Sequence, residues 1–188
     1  MRVVALAPAF LLLAGLVPLP VGAGDDFKLE PGFMLLFNGK NLDGWQPKGD
    51  KKTKLDGKAE AFKGRFKIDK GVMVIDPSVK GGAYIETQAT FEKDVHIKFD
   101  FNPGPKCNND IFLRGTKFDI IVNPKSKELK NVKEGEWHTM DVIVEGDKVI
   151  HKINGETART SKAKAGPSTF VIRAEFGAIQ IKNIRVKQ

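Results

Sequence analysis

Beyond its first two dozen residues the chain reads as strands. In Val95-His96-Ile97-Lys98-Phe99-Asp100-Phe101 apolar side chains take every second position and polar ones the positions between. That is the two-residue period of a strand with one buried face. Val95, Ile97, Phe99 and Phe101 are expected in the core, with His96, Lys98 and Asp100 on the opposite side. Met140 to Val144 and Lys148 to Ile153 form two apolar runs around Glu145-Gly146-Asp147, which predicts a hairpin. Asn154-Gly155 favours positive φ, so the chain is expected to turn back once more. Further strands are predicted over Met34 to Phe37, Arg65 to Ile68, Val72 to Ile75, Ala83 to Glu86, Ile111 to Arg114, Lys117 to Val122, Thr169 to Phe176 and Ala178 to Lys187. In the last of these the apolar phase shifts between Ile181 and Ile184, which predicts a bulge near Asn183. About ten strands with almost no helical periodicity require two packed antiparallel sheets or a barrel.

The opening residues follow a different pattern. Arg2 precedes an apolar run from Val3 to Val17, then Pro18, Pro20 and the small-residue triplet Val21-Gly22-Ala23. This predicts a signal peptide over 1–23 with cleavage after Ala23, a secreted or periplasmic location, and no membrane span in the mature chain. The run falls short of the roughly 20 apolar residues a spanning helix needs. Residues 24–188 are the size of one domain with one core.

Charge and cysteine usage narrow the partners. The chain carries a formal net charge of +8, of which the leader supplies only Arg2, so the basic excess belongs to the folded domain. Much of it lies between Lys48 and Arg65, where Phe62 is the sole aromatic. Without stacking residues this stretch does not read as a nucleic-acid site. It reads as a solvated loop, with an anionic polysaccharide as the alternative partner. Cys107 is the only cysteine, so the fold must be held by packing, and the thiol is expected to be a buried small hydrophobe.

Five spaced segments carry a family resemblance. They are Leu36-Phe37-Asn38-Gly39-Lys40-Asn41-Leu42-Asp43-Gly44-Trp45, Gly64 to Val72, Asn108 to Gly115, Gly135-Glu136-Trp137-His138, and the closing stretch Ile179 to Val186. In this order the chain resembles the 3-keto-disaccharide hydrolase family, secreted domains of concanavalin-like fold. The resemblance implies an all-β jelly-roll sandwich of two antiparallel sheets over 24–188. The first segment makes sense as structure: Asn38-Gly39 and Asp43-Gly44 form turns, and Leu42 and Trp45 fill the space between sheets. Trp137 is likewise expected in the core, with Glu136 near the rim.

The resemblance further implies a substrate region on the concave sheet. The residues expected there are Asn108, Asn109, Asp110 and Arg114, then Phe118 and Asp119, then Arg173 and Glu175. Asp119 and Glu175 are the expected catalytic carboxylates; Asn108, Asn109, Asp110, Arg114 and Arg173 are the expected substrate-binding groups. A ketone at C3 of a sugar acidifies the hydrogen at C2, so a base can remove it, the C1 substituent leaves, and water adds back. That route needs a base, an acid for the leaving oxygen and a cation to hold the enolate. Displacement through two flanking carboxylates is the other glycosidase route.

The chain departs from the family pattern at several points. A Tyr-Glu-x-Gln element appears as Phe118-Asp119-Ile120-Ile121, and Asn-Ser-Gly as Asn108-Asn109-Asp110, while Arg173 stands where a Gln is expected. A non-catalytic glycan- or polyanion-binding module therefore stays open beside the hydrolase. His96, His138 and His151 show no metal-ligand spacing. A divalent cation such as Ca2+ on Asp110, Asn109 and nearby carbonyls is the remaining cofactor candidate.

Overall fold

The computed structural model describes residues 27–188; the leader and its cleavage site lie outside them. Among the described residues there is no helix, and fourteen strands form two antiparallel sheets. The larger sheet runs in the order β12 (Glu156–Lys162), β11 (Lys148–Ile153), β10 (His138–Glu145), β7 (Val95–Pro103), β14 (Ile179–Lys187), β5 (Val72–Ile75), β4 (Phe66–Asp69) and β3 (Glu60–Ala61), with β1 (Met34–Leu35) also pairing β14. The smaller sheet runs β2 (Trp45–Pro47), β6 (Ala83–Thr87), β13 (Val171–Phe176), β8 (Asn108–Leu113) and β9 (Thr116–Ile121). The first and last strands of the domain are neighbours and most ladders join residues far apart in sequence, as expected for a jelly roll.

One core fills the space between the sheets. Alternation along β7 is complete: Val95, Ile97, Phe99 and Phe101 are buried while His96, Lys98 and Asp100 are half-exposed. Phe99 packs on Phe170 at 6.0 Å between ring centres. Phe118 of β9 stacks on His151 of β11 at 4.5 Å, joining one sheet to the other. Trp45 is fully buried and its indole Nε1 donates to the Leu36 carbonyl at 2.9 Å. The loop leading to it is tied by its own side chains. Asn38 Oδ1 accepts from the amides of Lys40 and Asn41, and Asp43 Oδ1 accepts from the Gly57 amide at 2.7 Å. Truncating a buried aromatic such as Trp45 to alanine costs about 3–5 kcal/mol.

The bulge expected near Asn183 is present: the β14–β7 register shifts between Lys182 and Arg185, and Asn183 takes φ 55°. Two expectations are corrected. Trp137 is 41% exposed, with Lys182 Nζ 4.2 Å from its ring centre, because His138 takes the inward position opposite Phe101. Phe118 is fully buried against His151, on the interior side of its strand rather than with Asp119. Cys107 is buried as expected, and loss of solvent pushes its thiol up to about 11, far from a reactive thiolate.

Candidate active site

The site begins with a turn. Arg114 and Gly115 link β8 to β9 with φ of 48° and 71°, the pair of positive angles of a tight two-residue hairpin. That turn sets Leu113 against Thr116 and therefore Asp110 against Asp119. On the other side of β8, β13 places Arg173 opposite Asp110, and β6 places Tyr84 opposite Arg173. Side chains two apart on a strand share a face. Tyr84, Arg173, Asp110 and Asp119 thus form one row across the solvent-facing side of the smaller sheet, with Lys117 and Glu175 beside it.

These groups form a continuous chain of ion pairs. Glu175 Oε2 meets Arg173 Nη1 at 2.8 Å, the same Nη1 meets Asp110 Oδ2 at 2.9 Å, and Lys117 Nζ lies 3.5 Å from Asp110 Oδ1 and 2.5 Å from Asp119 Oδ1. The Arg173 guanidinium sits 5.3 Å from the centre of the Tyr84 ring. Asp110 lies beneath the rest with a fully buried side chain, whereas those of Asp119 and Lys117 are 41% and 42% exposed.

Burial first, and the Asp119 carboxyl beside it second, push Asp110 up to about 6. Burial opposes ionisation of Asp119 as well, but the hydrogen bond from Lys117 outweighs it and holds that carboxyl below its ordinary value. Asp110 Oδ1 has no hydrogen-bond partner among the described protein groups. A proton held on this oxygen and directed at Asp119 satisfies both carboxyls, so the pair titrates together.

A cavity of about 310 Å³ opens beside Glu175 and Arg173, lined also by Arg65, Lys80, Gly81, Gly82 and Phe176. Phe176 is 62% exposed, an apolar platform at the rim. Arg65 is buried and donates from Nη2 to the Glu175 carbonyl at 2.8 Å and from Nη1 to the Asp76 carbonyl. It holds the strand end that carries Glu175.

Five of the seven expected site residues meet on this face: Asn108, Asp110, Asp119, Arg173 and Glu175. Asn109 faces the interior. Its Oδ1 accepts from the Glu175 amide at 2.9 Å and its Nδ2 donates to the Phe176 carbonyl at 2.9 Å, bridging the β8–β13 register shift. Asn109 and Asp110 therefore point to opposite sides and do not converge on one cation. No group of three or more His, Cys, Asp or Glu among the described residues is arranged to hold a metal ion. Arg114 serves the hairpin turn, and its Nη2 donates to the Lys93 carbonyl at 2.8 Å. Sequence reasoning missed Lys117, whose two-residue spacing from Asp119 marked it as a neighbour. It missed Tyr84, Arg65 and Phe176, which register, a loop and a bulge bring in.

The sequence matches the 3-keto-alpha-glucoside-1,2-lyase-like domain over residues 32–128 and 119–187. No curated protein sequence is significantly similar. Among solved structures, a candidate glycosyl hydrolase from Parabacteroides distasonis ATCC 8503 superposes with a TM-score of 0.60 at 19% identity, covering 83% of this chain and 93% of that one. A laminarinase from Flavobacterium sp. UMI-01 gives 0.56 at 17% identity, covering 82% and 98%. The carbohydrate-binding module CBM66 from Bacillus subtilis gives 0.51 at 11% identity, covering 77% and 96%. At these identities the likeness is one of fold, a jelly-roll β-sandwich. By its sequence, the chain belongs to the family of 3-keto-alpha-glucoside-1,2-lyase-like domains.

Proposed function

We propose that this is an exported carbohydrate-active enzyme that cleaves the glycosidic bond of a 3-keto-disaccharide or related glycoside on the outer face of its five-stranded sheet. The observation that carries the reading is the Glu175–Arg173–Asp110–Lys117–Asp119 chain of alternating charges beside a cavity of about 310 Å³. The family's description as a 1,2-lyase-like domain favours elimination over displacement.

Glu175 lines the cavity and is the base that takes the C2 hydrogen as a proton. Arg173, fixed between Glu175 and Asp110, faces the C3 oxygen as negative charge develops on it. Electrons from the broken C2–H bond form the C1–C2 double bond, the C1–O bond breaks, and the leaving oxygen takes a proton from the Lys117 ammonium or water. Addition of water across that double bond completes net hydrolysis. Asp110 is covered and acts as a positioning residue, holding Arg173 and Lys117, while Asp119 keeps Lys117 charged. Displacement by Asp119 and Glu175 is less well supported, since they stand on strands separated by β8.

The mature protein should turn over a 3-keto-glycoside, and Glu175→Gln should abolish turnover while leaving the fold intact. Saturable glycan binding with no sugar release across a panel of keto- and ordinary glycosides would overturn the catalytic reading in favour of a binding module. Export is tested by N-terminal sequencing of protein from the producing cells: Gly24 is the expected first residue, and a retained leader sinks that part.

A further inference from the structure

The face that carries the ion chain continues past it. Two residues beyond Asp110 on β8 stands Phe112, and two before Arg173 on β13 stands Val171, on the same side and about 7 Å along the strands. Here a second cavity, of about 490 Å³, is lined by Lys48, Lys51, Glu86, Phe112, Arg114 and Val171, among others. Its order along the strands is fixed: the Glu175 cavity lies at one end, the row of ion pairs in the middle and this cavity at the other.

Its electrostatics differ from those of the ion row. Among the described residues Lys48, Lys51 and Arg114 form no ion pair with any carboxylate. Lys48 Nζ instead lies 5.0 Å from the Tyr84 ring centre and 5.1 Å from that of Phe112, so its charge rests on aromatic faces. The one acid in the lining, Glu86, accepts from Gln46 Nε2 and the Gly49 amide, each at 3.0 Å, and from Thr169 Oγ1 at 2.9 Å, and despite its burial these bonds together with the charge of Lys48 keep it ionised, so it offsets one of the cations. The aliphatic stem of Lys164 packs over Gly115 at the turn, where there is no room for a Cβ. A concave, partly aromatic space in which three cations, Lys48, Lys51 and Arg114, outnumber one carboxylate concentrates anions.

We infer that this cavity is a second sugar subsite that accepts an acidic residue, a uronate or sulfated sugar, so that the substrate is an anionic oligosaccharide lying along β8 and β13. The inference rests on the proposed carbohydrate activity of this face and specifies its substrate class. Phe112 supplies an apolar wall for a sugar ring. Lys48 and Lys51 supply charge at its edge. Other lysines of the same basic run, such as Lys58 and Lys63, do not line the cavity.

The test is calorimetric titration of the mature protein with an oligogalacturonate, with the same oligomer reduced to its neutral alcohol, and with a sulfated oligosaccharide of equal length. The acidic oligomer should bind at least about tenfold more tightly than its reduced form. Lys48→Gln and Lys51→Gln should each weaken it by about three- to fivefold, and added salt should erode the preference. Lys58→Gln and Lys63→Gln should leave it unchanged. Equal binding of the acidic and reduced oligomers, or equal losses at Lys58 and Lys63, would overturn the subsite, the latter by showing diffuse attraction. The sulfated arm separates carboxylate from sulfate selectivity. Turnover assays on the native protein beside the titration separate this inference from the catalytic one: acidic preference without turnover removes only the catalysis, and turnover without acidic preference removes only the subsite.

Discussion

Both sheets carry an ion network on their outer side, and the two have different fates. On the larger sheet Arg185 meets Glu30 through Nε at 2.6 Å and Nη2 at 2.8 Å, Lys98 joins Glu30 at 3.1 Å, and His96 Nε2 contacts Asp141 at 2.7 Å. The segment before β1 closes over it, placing Phe33 against His96 at 5.0 Å and Phe27 over the Arg185 guanidinium at 5.1 Å. Arg185 holds Glu30 down at about 2. On the smaller sheet nothing equivalent covers the row among the described residues. One acid is driven up to about 6, and a cavity opens at each end. The same chemical groups, once covered and mutually paired, act as a clasp. Left open and strained toward protonation, they become a place for a ligand.

The largest effect that would break this contrast is catalytic. Glu175→Gln should lower turnover of a 3-keto-glycoside by at least about 10²-fold, whereas Glu30→Gln should leave turnover unchanged; steady-state kinetics on both variants decide it. Next comes stability. Glu30→Gln removes the carboxylate facing the buried Arg185, and after discounting for the 36% exposure of Glu30 it should cost about 1–2 kcal/mol in denaturant melts. Because the folded protein lowers the Glu30 pKa from 4.5 to about 2, its stabilisation is present above about pH 4.5. It is lost as pH falls toward about 2. The Glu30→Gln variant should lack that acid-side slope.

Asp110 has the opposite sign. Its folded pKa is raised from 3.8 to about 6, so its share of stability is complete below about pH 3.8 and disappears as pH rises through about 6. Asp119→Asn removes a neighbouring carboxyl that raises it. The Asp110 midpoint, followed by carboxyl-carbon NMR, should then move down from about 6 without reaching an ordinary value, since burial remains. A midpoint that stays in place would mean that the two acids are not coupled. Smallest of all, Trp137→Ala should cost less than about 1 kcal/mol in the same melts because its ring is 41% exposed and lies outside the core between the sheets.

Much of this was legible in the chain. Strict alternation at Val95 to Phe101 gave the central strand and its buried side, and Val72 to Ile75 and Lys148 to Ile153 coincide with β5 and β11. The same period contained the correction to Trp137: with Met140, Val142 and Val144 inward, His138 is inward and Trp137 is not. The pairing of Asp110 with Asp119 was harder to see, because it depends on Arg114-Gly115 being a two-residue turn. Arginine is not a residue that announces positive φ as asparagine does. Asn109 looked like a substrate ligand by position, but the β8–β13 bulge claims both ends of its amide.

The sequence by itself determined the layered all-β architecture and the family, since alternation and spaced turn motifs are local properties of the chain. It also supplied the acids and arginines of the site. Only the tertiary structure decided which of them meet. Strand register across β6, β13, β8 and β9 selects the row, and burial beneath that row, rather than residue type, separates the two aspartates in proton affinity.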